Sequence, residues 1–167
     1  MDLKLTDKNI RLRKVNDNDH AVLLEIYAST RAEEMKQIPQ WTELMKKEFL
    51  KQQFTAQHIH YQNNYPGADF WILERNKKPI GRLYVCEYYE NKTLRIIDIT
   101  LLPAYRDKTY GSGILKDLIK KAEEYGLPLS IHVESFNPAR RLYERLGFRK
   151  ISETNGVYDL MEWKHTI

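Results

Sequence analysis

Hydrophobic residues recur along this chain with two different spacings, and the change of spacing separates predicted helices from predicted strands. Residues 10–15 alternate apolar and basic side chains, which is typical of a half-buried strand. Apolar residues recur every three or four positions from about residue 19 to 35, and this spacing predicts a helix that ends before Pro39. The same spacing predicts a second helix, or a broken pair of helices, over residues 42–63.

Strand patterns begin after a turn at residues 65–67. The predicted elements that follow are a hairpin of residues 69–75 and 79–90, a strand at 93–103, a helix at 111–125, a strand at 128–135, a short helix at 137–148 and a last strand at 157–163. The resulting order, β-α-α-β-β-β-α-β-α-β, contains no repeat, linker or low-complexity segment. It predicts a single α/β domain with a mixed sheet over residues 1–167.

Composition and charge narrow the function classes without choosing one. Hydrophobic residues make up 42% and charged residues 30% of the chain, a balance typical of globular proteins. The net charge of +4 fits an anionic small ligand as well as nucleic acid, but the basic residues are dispersed among acids, so weak nucleic-acid binding is only a third hypothesis. Cys86 is the only cysteine, and the sequence has neither a leader pattern nor an apolar stretch of membrane length. These features predict a cytoplasmic protein without a membrane partner, and the dispersed charge predicts no nucleic-acid partner.

The segment YRDKTYGSGIL, residues 105–115, joins a predicted strand to a predicted helix. A helix that begins near Gly111 leaves its first N–H groups without internal acceptors and carries a partial positive charge there, which favours anions. Gly111 and Gly113 let a ligand approach the backbone, and Arg106 and Lys108 add full charges for phosphate oxygens. The alternative is that the glycines only allow close packing of the helix on the sheet.

Together with the later segment FNPARRLYERLGF, residues 136–148, this loop resembles the two cofactor motifs of the GNAT family of acyl-CoA-dependent N-acyltransferases. The family's phosphate loop, Arg/Gln-x-x-Gly-x-Gly/Ala, corresponds to residues 106–111, with Thr109 and Asp107 at positions where the family commonly has glycine. Threonine is strained at positive φ, and we expect Asp107 to point outward. The second motif, N-x-A-x-x-LY-x-x-x-GF, is matched by Asn137, Ala139, Leu142, Tyr143, Gly147 and Phe148.

The resemblance, which covers about residues 98–148, implies the GNAT fold and acetyl-CoA as the cofactor. The implied cofactor-binding residues are Leu101, Leu102, Arg106, Lys108, Thr109, Tyr110, Gly111, Ser112, Gly113, Asn137, Arg140 and Tyr143. Tyr143 falls at the position of the family's thiolate-protonating tyrosine, and a phenol with an ordinary pKa of about 10 carries its proton at neutral pH. The alternative for Tyr143 is a packed tyrosine whose hydroxyl is satisfied by Asn137 or by water.

The residue that deprotonates the amine is left open among three candidates. His132 falls, with a one-residue gap, where ribosomal-protein acetyltransferases of the family place a catalytic glutamate, and a pKa near 6.5 suits a base at neutral pH. Asp98 and Glu134 are the other candidates, because strand alternation places Glu134 on the face of His132 and Asp98 one strand away. His132 satisfied by Asp98, without a chemical role, and the absence of any dedicated base are the remaining alternatives.

The acceptor of GNAT enzymes enters between the first two helices and the last hairpin, which implies a polar set on those helices. The candidate substrate-binding residues are Arg31, Glu34, Gln53, Gln57 and Tyr61. Helical spacing aligns Gln53, Gln57 and Tyr61, while Glu33 or Glu34 could hold an ammonium group and Arg31 a carboxylate. An ordinary wet helix face is the alternative. No metal site is predicted, because His58 and His60 are two residues apart on a helix and face different sides.

The sequence therefore predicts an acetyl-CoA-dependent N-acetyltransferase that acts by direct attack of a primary amine of a small molecule or peptide. The main alternative is a protein with this fold that binds acyl-CoA as a sensor or scaffold without turnover. The sequence does not identify the amine, and it leaves a homodimer open.

Overall fold

The computed structural model describes residues 1–166 and contains one seven-stranded sheet with helices on both faces. The strands are β1 (Ile10–Lys14), β2 (Asp69–Arg75), β3 (Lys78–Tyr89), β4 (Thr93–Leu101), β5 (Leu129–Glu134), β6 (Arg149–Thr154) and β7 (Tyr158–Trp163). The helices are α1 (His20–Thr30), α2 (Ala32–Lys36), α3 (Glu43–Asn64), α4 (Tyr110–Tyr125) and α5 (Arg140–Arg145). The strand order is β1-β2-β3-β4-β5-β7-β6, and the α/β class predicted from the sequence is confirmed.

Two features of the element order differ from the prediction. The first predicted helix divides into α1 and α2 at Arg31, whose φ of −110° and ψ of 5° leave the helical region. The strand β6 is additional, and all six of its residues are exposed, so it carries no buried face that hydrophobic alternation could reveal. The second predicted helix is the unbroken α3, and α4 ends at Gly126, whose φ of 67° is the left-handed conformation expected of a terminating glycine.

The two faces of the sheet carry separate hydrophobic clusters. On one face, α4 contributes Ile114, Leu115 and Leu118 to a core that also includes Tyr143 and Phe148 from the α5 region. On the other face, α1 and α3 pack through a second cluster. Its buried members are Leu23, Tyr27, Phe54, Ile72 and Tyr84. No helix within residues 1–166 is both long enough and apolar enough to cross a bilayer.

The sheet opens between β4 and β5, the only parallel neighbours among the described strands. Their ladder has three positions, from Leu94 opposite Leu129 to Ile96 opposite Ile131. Beyond Ile96, β4 continues to Leu101 and β5 to Glu134 without pairing to each other. The unpaired ends leave a gap in the middle of the sheet, between the α4 face and the α3 face.

Candidate active site

Backbone groups of β4 face the gap in the sheet. The Leu102 amide donates to the Ile80 carbonyl at 2.8 Å, so the neighbouring pair of Leu101 and Gly81 is a non-hydrogen-bonded pair. The amide and carbonyl of Leu101, and by the same alternation those of Ile99, therefore point away from β3 and into the gap. The resemblance implied Leu101 and Leu102 as cofactor-binding residues and did not include Ile99. Only the pairing register with β3 shows which backbone groups of β4 face the gap.

The N-terminus of α4 lies at the edge of this gap and has free donors. Its first internal bond runs from the Gly113 amide to the Thr109 carbonyl at 3.0 Å, which leaves the amides of Tyr110, Gly111 and Ser112 without intrahelical acceptors. No side chain caps them, and the Ser112 hydroxyl donates to the Thr109 carbonyl instead. Three uncapped amides at the positive end of a 16-residue helix form a ready site for a phosphate group.

The glycines of α4 are not required by the fold. A Cβ atom added at Gly113 would have no neighbour within 4 Å, and one added at Gly111 would make an ordinary contact of 3.7 Å with Leu101. Neither glycine has a positive φ. Because glycine inside a helix costs about 1 kcal/mol relative to alanine, two glycines without a packing or conformational reason indicate that something else must approach this backbone. The packing alternative is therefore not supported.

The loop before α4 keeps a glycine-like backbone without the glycines. Thr109 has φ 67° and Asp107 has φ 57°, so both occupy the left-handed region at the two positions where the resembling family has glycine. A non-glycine residue in this region costs on the order of 1–3 kcal/mol, and strain of this kind is concentrated at functional sites. Asp107 and Lys108 are exposed.

The cationic candidates around the loop differ in availability. Arg106 is exposed and donates to the Leu101 carbonyl at 2.8 Å and to the Ser29 hydroxyl at 3.2 Å, both of which a ligand could replace. Arg140, predicted to bind the cofactor, instead forms ion pairs with Glu144 and with the buried carboxylate of Asp159. Its guanidinium is already paired on the β7 side, and cofactor binding by Arg140 stays a prediction.

Asn137 has a structural role at the second motif. Its side-chain oxygen accepts a hydrogen bond from the Ala139 amide at 2.9 Å, just before α5 begins. It does not bond the Tyr143 hydroxyl, which was one alternative for that tyrosine. Asn137 thus shapes the turn that presents α5 to the gap.

Tyr143 combines a buried ring with a free hydroxyl. The residue is 4% exposed and packs against Phe148 in the core of the α4 face. Within residues 1–166 no hydrogen bond reaches its hydroxyl, and this oxygen is not among the fully enclosed atoms that lack a partner, so it keeps some exposed surface. Burial, with a smaller contribution from the charge of Asp98, raises the pKa of Tyr143 and keeps the phenol protonated.

Asp98 is the centre of a polar network on the α3 face of the gap. Its carboxylate accepts hydrogen bonds from Arg82 at 2.8 Å, Thr100 at 2.6 Å and Tyr61 at 3.3 Å. Arg82 also donates to Gln57 at 2.7 Å. Three donors engage the carboxylate, and none of them is His132, so the alternative of a histidine satisfied by Asp98 is not supported.

His132 is the candidate base with an unoccupied ring. It lies on β5 with its side chain on the face opposite to Ile131 and Val133, as predicted, and it is exposed. Partial burial, and then the charge of Arg95, lowers the pKa of His132 below its ordinary value, so the ring is neutral at pH 7. Glu134, the third candidate, is paired with Arg31 at 3.2 Å.

The predicted substrate-binding residues separate into two groups and one outlier. Gln57 and Tyr61 belong to the Asp98 network, as described above. Arg31 and Glu34 form an ion pair at 2.9 Å, and Arg31 also reaches Glu134, so this group links the α1–α2 junction to β5. Gln53 is exposed, and no hydrogen bond joins it to the aligned Gln57 and Tyr61 in the described part of the chain.

The sequence is similar to a family of acetyltransferases and to one curated protein of that kind. Residues 36–148 match the family model described as "Acetyltransferase (GNAT) family". The chain is 29% identical over 98 residues to the uncharacterized N-acetyltransferase CgeE of Bacillus subtilis (strain 168), a match of 54% of this chain and 38% of that protein. The chain thus spans well under half of that curated relative.

Solved structures share the fold at low identity. The PaiA N-acetyltransferase from Thermoplasma acidophilum, in complex with coenzyme A, has a TM-score of 0.67 with 18% identity and covers 93% of this chain and 99% of its own. An acetyltransferase from Thermus thermophilus has a TM-score of 0.65 with 16% identity and covers 92% of this chain and 96% of its own.

Proposed function

This chain belongs to the GNAT family of acetyltransferases, and from that membership we propose that it transfers the acetyl group of acetyl-CoA to a primary amine by direct attack. The observation that carries the proposal is the N-terminus of α4, where two glycines that the fold does not need lie beside three uncapped amides and an open gap in the sheet. An anionic ligand that extends from this helix end into the gap fits both features.

The backbone supplies most of the proposed cofactor site. The amides of Tyr110, Gly111 and Ser112 would bind the pyrophosphate, and Lys108 and Arg106 would add positive charge at the same edge. The gap-facing backbone groups of Ile99 and Leu101 would hold the pantetheine arm by hydrogen bonds. Movement of the Arg106 side chain frees the Leu101 carbonyl for this role.

Proton donor and proton acceptor lie on opposite sides of the gap. When bound, acetyl-CoA supplies an electrophilic thioester carbonyl. The Tyr143 hydroxyl, on the α4 face, holds the proton that the departing thiolate needs. His132, on the α3 face, is neutral and accepts the proton of the attacking amine directly or through water. Asp98 and Glu134 are less suited, since both carboxylates already accept hydrogen bonds from cationic side chains.

The structure of the phosphate loop weakens the case for a sensor that binds acyl-CoA without turnover. That alternative depends on Thr109 and Asp107 in place of glycine in the phosphate loop. Both residues have the positive φ that glycine would have, so the loop retains the required shape. Since no other feature favours binding without turnover, we propose the enzyme.

The test is release of free thiol from acetyl-CoA across a panel of small amines, amino acids and short peptides. N-acetylated product is confirmed by mass spectrometry, so that thioester hydrolysis is excluded. Tyr143→Phe serves as the matched control, because it keeps the ring and removes the proton. Tight coenzyme binding without acetyl transfer to any member of the panel would favour the sensor. Cytoplasmic location and a homodimer stay predictions.

A further inference from the structure

The fold buries two arginines on the sheet, and they differ in how their charge is balanced. Arg82 is 2% exposed and pairs with Asp98 at 2.8 Å. Arg95 on β4 is 6% exposed, and within residues 1–166 no carboxylate lies within ion-pair distance of it. A buried cation without an anion is costly, and proteins normally pair such charges. Arg95 is therefore a buried cation that lacks a counterion within the described residues.

Neutral groups hold Arg95 in place without neutralising it. Its Nε donates to the Ser130 hydroxyl at 2.8 Å, its Nη1 lies 3.5 Å from the Tyr65 hydroxyl, and its guanidinium stacks 4.4 Å from the centre of the Tyr89 ring. The remaining nitrogen, Nη2, has no hydrogen-bond partner in the described chain and is not among the fully enclosed atoms that lack a partner, so it keeps some exposed surface. Glu162, directly across from Ser130 on β7, pairs with Lys164 instead.

Arg95 shares the face of the sheet that carries the candidate base. It lies opposite Ser130 in the β4–β5 ladder, and His132 is two residues further along β5 on the same face. Two residues along β5 correspond to about 7 Å and the step to the neighbouring strand to about 4.8 Å, so Arg95 and His132 lie within reach of one small molecule. The charge of Arg95 is also felt at His132, since it contributes to the lowered pKa of the imidazole.

We propose that Arg95 binds a carboxylate of the acceptor, so that the acceptor is an amino-acid-like molecule whose amine lies at His132 and whose carboxylate lies at Arg95. Ser130 at Nε and Tyr65 at Nη1 hold the guanidinium and leave Nη2 to donate a charge-assisted hydrogen bond to a carboxylate. Arg31, which the sequence suggested for this role, is already paired with Glu34 and Glu134. The inference depends on the proposed acetyl transfer and specifies its substrate class.

The first experiment compares matched acceptors. Acetyl transfer is measured to glycine, β-alanine and 4-aminobutanoate and to the primary amide of each, and the ratio of kcat/KM for acid over amide is taken at the best chain length. Wild type should prefer the acid by about 10- to 100-fold, the range for loss of a hydrogen bond to a charged group. Arg95→Met should bring the ratio near one, and Arg95→Lys should retain part of it.

Control variants separate the site from general charge effects. Arg11→Met removes an exposed arginine from the distant edge strand β1 and should leave the ratio unchanged. Unfolding temperature and acetyl-CoA affinity establish that Arg95→Met is folded. A ratio near one in wild type, an unchanged ratio in Arg95→Met, or a loss that follows Arg31→Met instead would overturn the assignment. Transfer to a neutral amine such as propylamine shows separately whether the enzyme function holds.

A second readout does not require turnover. The imidazole of His132 is titrated by NMR in the coenzyme A complex, with N-acetyl-β-alanine or its amide as the probe. The carboxylate should raise the pKa of His132, because it offsets the charge of Arg95, and the amide should not. In Arg95→Met the pKa should already be raised and should ignore both probes. A carboxylate that leaves the wild-type titration unchanged overturns the proposal even if no acceptor is ever acetylated.

Discussion

Gly111→Val separates the stability of α4 from its proposed role in binding acetyl-CoA. Gly111 is the second residue of the helix and has no positive φ, and a Cβ at this position meets only Leu101 at 3.7 Å. Valine is better than glycine in a helix by about 0.5 kcal/mol. The variant should therefore unfold at the same temperature as wild type or slightly higher.

The binding loss follows from the donors that the new side chain covers. The amides of Tyr110, Gly111 and Ser112 have no intrahelical acceptor, and a hydrogen bond to a charged group contributes about 1.5–3 kcal/mol. The two methyl groups of valine lie over this helix end and keep a phosphate from at least one or two of the amides. A cost of about 3 kcal/mol corresponds to roughly a hundredfold weaker binding, since each 1.4 kcal/mol is tenfold.

The assay is titration calorimetry with acetyl-CoA, combined with thermal unfolding. Gly111→Ala is the matched control, because a single Cβ makes an ordinary contact in the fold and should have a much smaller effect. S-acetylpantetheine, which lacks the pyrophosphate, should be used equally by wild type and Gly111→Val. An unchanged acetyl-CoA affinity in a folded Gly111→Val protein would refute the phosphate assignment, and an equal loss with S-acetylpantetheine would show that the gap itself is disturbed.

Three further changes test other parts of the site. Tyr143→Phe should lower kcat by about a hundredfold, with acetyl-CoA affinity unchanged, and a kcat within about twofold of wild type when chemistry is rate limiting would leave Tyr143 a packing residue. Thr109→Gly should raise the unfolding temperature by roughly 2–4 °C, because the relief of left-handed strain exceeds the cost of the added entropy of the unfolded chain by about 1 kcal/mol. Thr109→Ala keeps the Cβ atom and should raise the unfolding temperature less. On the acid side, kcat/KM should decrease with a midpoint below pH 6.5, because a base must be neutral and burial lowers the pKa of His132. His132→Gln should lower the rate and abolish this decrease. A decrease that survives in the variant would assign the base to another residue.

The parts of the site that lie within one stretch of sequence were predictable. The strand, the loop and the start of α4 are contiguous, so the glycines, the helix start and the cationic residues 106 and 108 can be recognised together. The apolar stripe of α4 has a strict helical period, and Gly126 ends it. By contrast, β6 is an exposed edge strand whose residues carry no hydrophobic pattern, and it was missed.

Contacts between distant strands were not predictable, because they depend on register. Arg95 lies opposite Ser130, which is 35 residues away, and nothing near either residue indicates that they meet. The pairing of Arg82 with Asp98 and the capture of Arg140 by Asp159 are of the same kind. The family resemblance suggested Arg140 as a cofactor-binding residue and Arg31 as an acceptor-binding residue, and carboxylates of the chain already pair with both.

A single residue, Ile97, decides which way Asp98 faces. Regular alternation along β4 would place Asp98 on the side of Ile96, among the side chains that pack against α4. The pairing with β3 instead skips Ile97, because Val85 lies opposite Ile96 and Tyr84 lies opposite Asp98. An extra residue in one strand reverses the facing of every side chain that follows it.

Because of this reversal, the two faces of the gap carry different functional groups. Asp98 turns toward Tyr61 and Arg82 on the α3 face, while Ile99 and Leu101 return to the core of the α4 face. Without the bulge, an ionised carboxylate would lie in the apolar core beside the Tyr143 ring, at a large desolvation cost. With it, the charged network occupies the amine side and Tyr143 keeps an apolar surrounding on the thiol side, so the two proton transfers of the proposed reaction are served by separate environments.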